Sequence, residues 1–338
     1  NGVAFEALNS VEQTPSKIII ILNDNDMAIS KSVGSLAKSL AKIRTSQTYG
    51  VVKKGYVGVI GKIPKIGRPI VNFTRRVINR ICVFFRSINL FDAFKIAYIG
   101  PVDGHNFKAL EKALKKAKNY PETILVHVKT KKGHGYQNSE NDEIGTWHGV
   151  EPFDLNNGKS KKEKDAHMIT FSQAFADALY QKMKEDQKIH VISAAMINGS
   201  SLQRLFNDFK NRSHDVGIAE EHAVCFANGL ALSQLKPVVS LYSTFMQRAY
   251  DEINHDIARI NSSVVFLVDR AGIVGEDGET HQGIYDISFL YPLKNVTILM
   301  PPNTSYVQAC LDFAFLHGGP VFIRYSKSTV YKQEPVPS

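Results

Sequence analysis

Seven apolar runs of strand length punctuate the chain, at residues 18–22, 123–128, 190–193, 237–241, 264–269, 296–300 and 321–324. They are rich in Ile and Val and bounded by Pro, Gly or Asn, which predicts strands buried on both faces of a parallel sheet. Between them the spacing turns helical. Phe107, Leu110, Leu114 and Ala117 recur on one face, as do Phe171, Phe175, Ala178 and Leu179 behind Thr170, a residue suited to an N-cap. Val307, Leu311 and Phe315 repeat the pattern behind Asn303. Strands alternating with helices predict α/β layers joined by right-handed crossovers, with parallel sheets flanked by helices. Residues 151–167 include Asn156-Asn157-Gly158-Lys159-Ser160-Lys161-Lys162, the composition of a linker. The expected division is therefore 1–150, a linker at 151–167, and a second domain at 168–338.

A length of 338 residues suits two domains, and 43% hydrophobic with 22% charged residues excludes a disordered, collagenous or coiled-coil chain. Cys82, Cys225 and Cys310 are scattered and show no C-x-x-C spacing, so neither a disulfide framework nor a zinc site is expected. No apolar run is long enough to predict a membrane helix. The opening Asn-Gly-Val-Ala-Phe reads as the start of a piece cut from something longer. The net charge of +9 changes the picture only locally. Ten basic residues against Asp92 fall between Lys53 and Lys95, so one segment carries the whole excess. No nucleic-acid motif accompanies it, and it reads as a basic variable connection rather than a nucleic-acid or lipid surface.

In open α/β sheets, chemistry sits in the loops beyond the carboxyl ends of the strands. Those loops hold the unusual residues here: Asn23-Asp24-Asn25-Asp26-Met27 after the first run, Tyr242 to Arg248 after the fourth, and Arg270 with Glu276, Asp277, Glu279, His281 and Gln282 after the fifth. Arg324 ends the last run and Lys327 follows it. The repetition predicts one polar cleft.

At these loops the sequence resembles the 1-deoxy-D-xylulose-5-phosphate synthase family of transketolase-like thiamine diphosphate enzymes. The resemblance rests on Ala4-Phe5-Glu6-Ala7-Leu8-Asn9, Ile21-Leu22-Asn23-Asp24-Asn25, Tyr98-Ile99-Gly100-Pro101-Val102-Asp103-Gly104-His105 and Thr130-Lys131-Lys132-Gly133-His134-Gly135-Tyr136. It continues through Gly217-Ile218-Ala219-Glu220-Glu221-His222-Ala223-Val224, Tyr242-Ser243-Thr244-Phe245, Asp269-Arg270-Ala271-Gly272-Ile273-Val274-Gly275 and Thr280-His281-Gln282-Gly283. It implies the later part of a diphosphate-binding domain followed by a pyrimidine-binding domain. The Gly-Asp-Gly metal motif and the third domain of the family lie outside the sequence, so the piece alone is expected to be inactive and to bind Mg2+ poorly.

The resemblance also implies roles. Glu220 is the acid that shares a proton with the cofactor's aminopyrimidine, with Glu221 standing where many relatives carry Gln, so which of the two acts stays open. Asn25 and Met27 match metal ligands, and Lys132 a diphosphate-binding lysine. Met196, Phe245 and Arg248 join the cofactor-binding set, with a plain core role equally open to Met196 and Phe245. His148 and His281 face the reacting carbon, and Asp277 orients His281 or a substrate hydroxyl. Tyr242, Arg270 and Lys327 receive the acceptor's phosphate, Lys327 standing where relatives commonly show Arg. The implied reaction joins pyruvate to glyceraldehyde 3-phosphate with loss of CO2, opening the non-mevalonate isoprenoid pathway, in a homodimer with thiamine diphosphate and Mg2+. Neither a nucleic-acid nor a membrane partner is expected. A transketolase or a 2-oxo-acid decarboxylating component is the alternative enzyme. A silent fragment whose basic segment binds an anionic partner is the alternative of another class. The expected compartment is a plastid if the source is eukaryotic, otherwise the bacterial cytoplasm.

Overall fold

The structure, a computed structural model, describes residues 2–25, 27, 91, 94–142, 145–161 and 165–332. Apart from Phe91, Phe94 and Lys95, the basic segment 53–95 lies outside the described residues. These form two units, one holding the described residues up to Glu140 and the other those from Asn141 onward.

The first unit is a parallel three-stranded sheet in the order β1 (Ile19–Asp24), β3 (Ile124–Lys129), β2 (Ala97–Asp103). Central β3 is buried along five of its six positions. On β1, by contrast, Ile19 and Ile21 are exposed, so this strand alternates where the sequence predicts burial on both faces. Its position at the edge of the described sheet accounts for that. Helix α1 (Gly2–Ser10) precedes β1 and α2 (Phe107–Lys118) follows β2. Asn106 caps α2 by accepting from the Ala109 amide. The buried face of α2 is Ala113 and Ala117 with Leu110 beside them, not the predicted Phe107 and Leu114. Phe107, 83% exposed, sits in the first turn, beyond the reach of the sheet.

The second unit is a six-stranded parallel sheet in the order β6 (Ser213–Asp215), β5 (Ile189–Ser193), β7 (Lys236–Tyr242), β8 (Val265–Asp269), β10 (Val321–Arg324), β9 (Thr297–Leu299). The four central strands β5, β7, β8 and β10 are buried on both faces, as their Ile and Val content predicts, while the edge strands β6 and β9 are half-buried. Val191, Val238, Val265, Leu267 and Ile323 pack under α3 (Phe171–Glu185) and α5 (Val307–Leu316). Ile192, Val239, Leu241, Phe266 and Phe322 pack under α4 (Glu220–Leu232) and the turns at Ile253 and Ile257. Thr170 caps α3 by accepting from the Gln173 amide. A short antiparallel pair, β4 (Met168–Thr170) with β11 (Thr329–Tyr331), ties the start of this unit to its end. The expected linker is in part a closed turn: Asp154 accepts from the Asn156 and Asn157 amides, and Phe153 pairs with Ser160. Among the described residues no helix is long and apolar enough to cross a membrane.

Candidate active site

Strand order reverses between β5 and β7, and in such a sheet the crevice opens at the carboxyl ends flanking the reversal. Three loops meet there. After β5 the chain turns through Ala195 at φ +62°, a left-handed position that costs an alanine strain energy and delivers the buried Met196. After β6, Asp215 Oδ1 accepts from the Ala195 and Gly217 amides, both at 3.0 Å, clamping this turn to the one that starts α4. Gly217 takes the other left-handed position, and Glu220 follows as the first residue of α4.

Glu220 is 3% exposed, and burial pushes its carboxyl above the ordinary glutamate range against the pull of Arg248. Arg248 donates from Nη1 to Glu220 Oε2 at 2.7 Å and from Nη2 to Glu221 Oε1 at 3.1 Å. Glu221 keeps about a third of its side chain in solvent. The two adjacent acids therefore differ in kind: one is desolvated, the other is a partly wet partner of the same arginine. Arg248 itself is the cation of this pair of acids.

β7 ends on the buried Tyr242, and Phe245 follows it, the two rings stacking at 5.2 Å. Phe245 in turn meets the His281 ring edge-on at 5.3 Å. The loop that carries His281 is closed on itself. Gly272 and Gly283 exchange backbone hydrogen bonds of 2.7 and 2.8 Å, and the Gln282 amide fills the loop by bonding to Val274 on both sides and to Gly278. Thr244 Oγ1 donates to the Thr280 carbonyl and pins the loop over Phe245.

Beside it lies a chain of charges. Asp269, fully buried at the end of β8, accepts from Ser172 Oγ, from the Arg270 amide and from Arg270 Nη1. Arg270, left-handed at φ +56°, lays its guanidinium over the Tyr242 ring at 3.9 Å and also donates to the Gly199 carbonyl. Its buried Nε has no hydrogen-bond partner and lies 3.6 Å from Asp277 Oδ2. Lys327 donates to Asp277 Oδ1 at 2.5 Å and lies 3.3 Å from Glu276 Oε2. Asp277 thus links two cations, while His281 pairs with Thr280 Oγ1 and Phe245; the expected orientation of His281 by Asp277 is not among these contacts. Arg324 is committed elsewhere, held bidentate and buried by Asp286.

His148 lies exposed in a one-turn helix, Thr146–His148, whose start is capped by Asp142. In the first unit, Asn25 Oδ1 accepts from the Met27 amide at 3.1 Å, winding the chain tightly after β1. Lys132 is half-buried on the turn after β3. Among the described residues no three His, Cys, Asp or Glu side chains gather as a metal site. Sequence reasoning assigns no role to Asp215, Asp269, Ser172 or His127; of these, Asp269 leaves a signal as the first residue of the motif Asp269-Arg270-Ala271-Gly272, and His127 as a polar residue inside the apolar strand Ile124–Lys129.

Two family descriptions match the chain: "1-deoxy-D-xylulose-5-phosphate synthase" over residues 1–130 and "Transketolase, pyrimidine binding domain" over residues 167–333. Among curated proteins, it is 44% identical over 326 residues to the 1-deoxy-D-xylulose-5-phosphate synthase of Clostridium tetani, covering 96% of this chain and 52% of that one. The protein of the same name from Lysinibacillus sphaericus is 42% identical over 327 residues, with the same coverage. The chain therefore spans about half the length of the curated relatives it matches.

Proposed function

The chain belongs to the 1-deoxy-D-xylulose-5-phosphate synthase family, and from that membership we propose that it serves, with thiamine diphosphate, the condensation of pyruvate with glyceraldehyde 3-phosphate. CO2 leaves, 1-deoxy-D-xylulose 5-phosphate forms, and the balance takes up one proton. The observation that carries the reading is the desolvated Glu220 at the switch point.

The residues fit the cofactor by donor type. Glu220 and Phe245 offer a carboxyl and an aromatic face, which suits an aminopyrimidine. Asn25 and Met27 offer an amide and a carbonyl oxygen; hard oxygens such as these suit Mg2+, which is often held by one or two protein ligands plus phosphate and water. Lys132 would meet the diphosphate. When bound, thiamine diphosphate supplies the electron sink for the bond broken in decarboxylation.

Glu220 would share a proton with a ring nitrogen of the cofactor through Oε1, the oxygen Arg248 does not engage, while Arg248 steadies the carboxyl through Oε2. His281, with Nδ1 against Thr280 Oγ1, has Nε2 to pass a proton to the acceptor's oxygen, and His148 is the second imidazole assigned to that work. Arg270 and Lys327 take the acceptor's phosphate, which requires them to loosen from Asp277. We place the working form in a homodimer.

The test is an assay of the full-length protein with pyruvate, glyceraldehyde 3-phosphate, thiamine diphosphate and Mg2+. The reading predicts CO2 release with a five-carbon phosphorylated ketose as product. Two-carbon transfer from a ketose phosphate without CO2 release would instead mark a transketolase.

A further inference from the structure

The first unit buries a polar relay that the proposed chemistry does not use. His127, on β3 between Val126 and Val128, is fully buried. Tyr98 Oη lies 2.7 Å from its Nδ1, and Asp24 Oδ2 lies 3.0 Å from its Nε2. Burial and the Asp24 charge push the Tyr98 hydroxyl up to about 12, so it stays protonated and is the donor to Nδ1. The hydrogen-bond network then assigns the ring proton to Nε2, facing Asp24. The neighbouring strand passes close to the His127 backbone. Gly100, at φ +140°, passes so close that a Cβ there would meet the His127 carbonyl at 2.6 Å and its Cβ at 2.8 Å.

Packing alone gives little reason for the relay, because buried ionic and polar groups rarely outperform apolar side chains of the same volume. Its place suggests another reason. Asp24 ends β1, and the next residue is Asn25, whose side chain closes on the Met27 amide. Two further bonds fix the same strand end: the Thr130 amide donates to the Asp24 carbonyl, and Thr130 Oγ1 donates to Asn23 Oδ1. With Asp24 turned inward to the imidazole, strand alternation turns its neighbour the other way.

We propose that His127 is a positioning residue, holding Asp24 so that Asn25 and Met27 present their oxygens to the cation of the diphosphate. The inference rests on the function proposed above. Such partners behind metal ligands typically account for 10- to 100-fold in metal affinity.

The test uses full-length protein, saturating thiamine diphosphate and Mn2+ as probe, with free Mn2+ read by electron paramagnetic resonance. His127→Gln is expected to raise the Mn2+ dissociation constant about 10- to 100-fold. Tyr98→Phe, which keeps the ring, shifts it less in the same direction, and excess Mn2+ restores cofactor binding in both. Val126→Ala, a cavity in the same strand, lowers the melting temperature and leaves Mn2+ affinity alone. If His127→Gln fails to fold, Tyr98→Phe decides. Relay variants that bind Mn2+ as tightly as the unmutated protein overturn the proposal, as does an equal loss in Val126→Ala. Absence of any thiamine diphosphate-dependent Mn2+ uptake in the unmutated protein overturns the functional reading itself.

Discussion

Arg248 reaches both acids at the start of α4, yet burial separates them, and that difference has a measurable consequence. The Glu220 carboxyl binds its proton more tightly in the folded state than in the unfolded chain, because desolvation dominates its environment. Its contribution to stability is thus fully present below the ordinary glutamate range and is lost as pH rises through the raised folded value. Gln mimics the protonated form at every pH. Glu220→Gln should therefore gain stability relative to the unmutated protein as pH rises above the ordinary glutamate range, read as the difference in melting temperature. A difference that stays flat with pH would show the carboxyl to be unperturbed. Lys327 supplies the second expectation at this scale. Lys327→Ala should weaken the phosphorylated acceptor by about 1.5–3 kcal/mol, the size of a charge-assisted hydrogen bond, while barely changing pyruvate binding. Arg324 cannot take over, because Asp286 holds it bidentate. Equal weakening of phosphorylated and unphosphorylated acceptors, in kinetics with each varied in turn, would show that Lys327 does not read phosphate.

At the scale of elements, the His281 loop depends on one glycine. A Cβ at Gly283 would lie 2.1 Å from the Arg270 carbonyl oxygen and 2.8 Å from Ser243, and a backbone oxygen cannot step aside as a flexible side chain can. Gly283→Ala should cost about 1–3 kcal/mol, as overpacking does, and should speed hydrogen exchange at the Gly272 amide. Gly275→Ala, with nothing within 4 Å of the added carbon, is the control and should stay within about 0.5 kcal/mol. Unchanged exchange in Gly283→Ala would contradict the role given to the bridge. All seven apolar runs are strands, five of them buried on both faces as a dense Ile and Val signature predicts; the runs at 18–22 and 296–300 lie at sheet edges and are only partly buried. Four strands left no such trace. Met168–Thr170, Ser213–Asp215 and Thr329–Tyr331 have three residues each, and Ala97–Asp103 is interrupted by Gly100-Pro101, where its register shifts. The buried face of α2 was misread because periodicity gives a stripe but not how far along the helix the sheet extends.

Across the whole molecule, the order of motifs made the family legible and led to the loops where the polar residues meet. What could not be read was which charge meets which. Lys327 and Asp277 are fifty residues apart, and Tyr98, His127 and Asp24 come from three strands; such pairings are fixed by register and strand order, not by local spacing. We propose that Glu220, and not its neighbour, is the proton-sharing acid of a thiamine diphosphate site. The most direct test is C2 proton exchange of bound cofactor, followed by NMR in deuterated solvent on full-length protein. Glu220→Gln should slow exchange by roughly 10²- to 10⁴-fold, the usual worth of a positioned acid–base group, while Glu221→Gln changes it little. Exchange in Glu220→Gln as fast as in the unmutated enzyme would exclude Glu220 from that role.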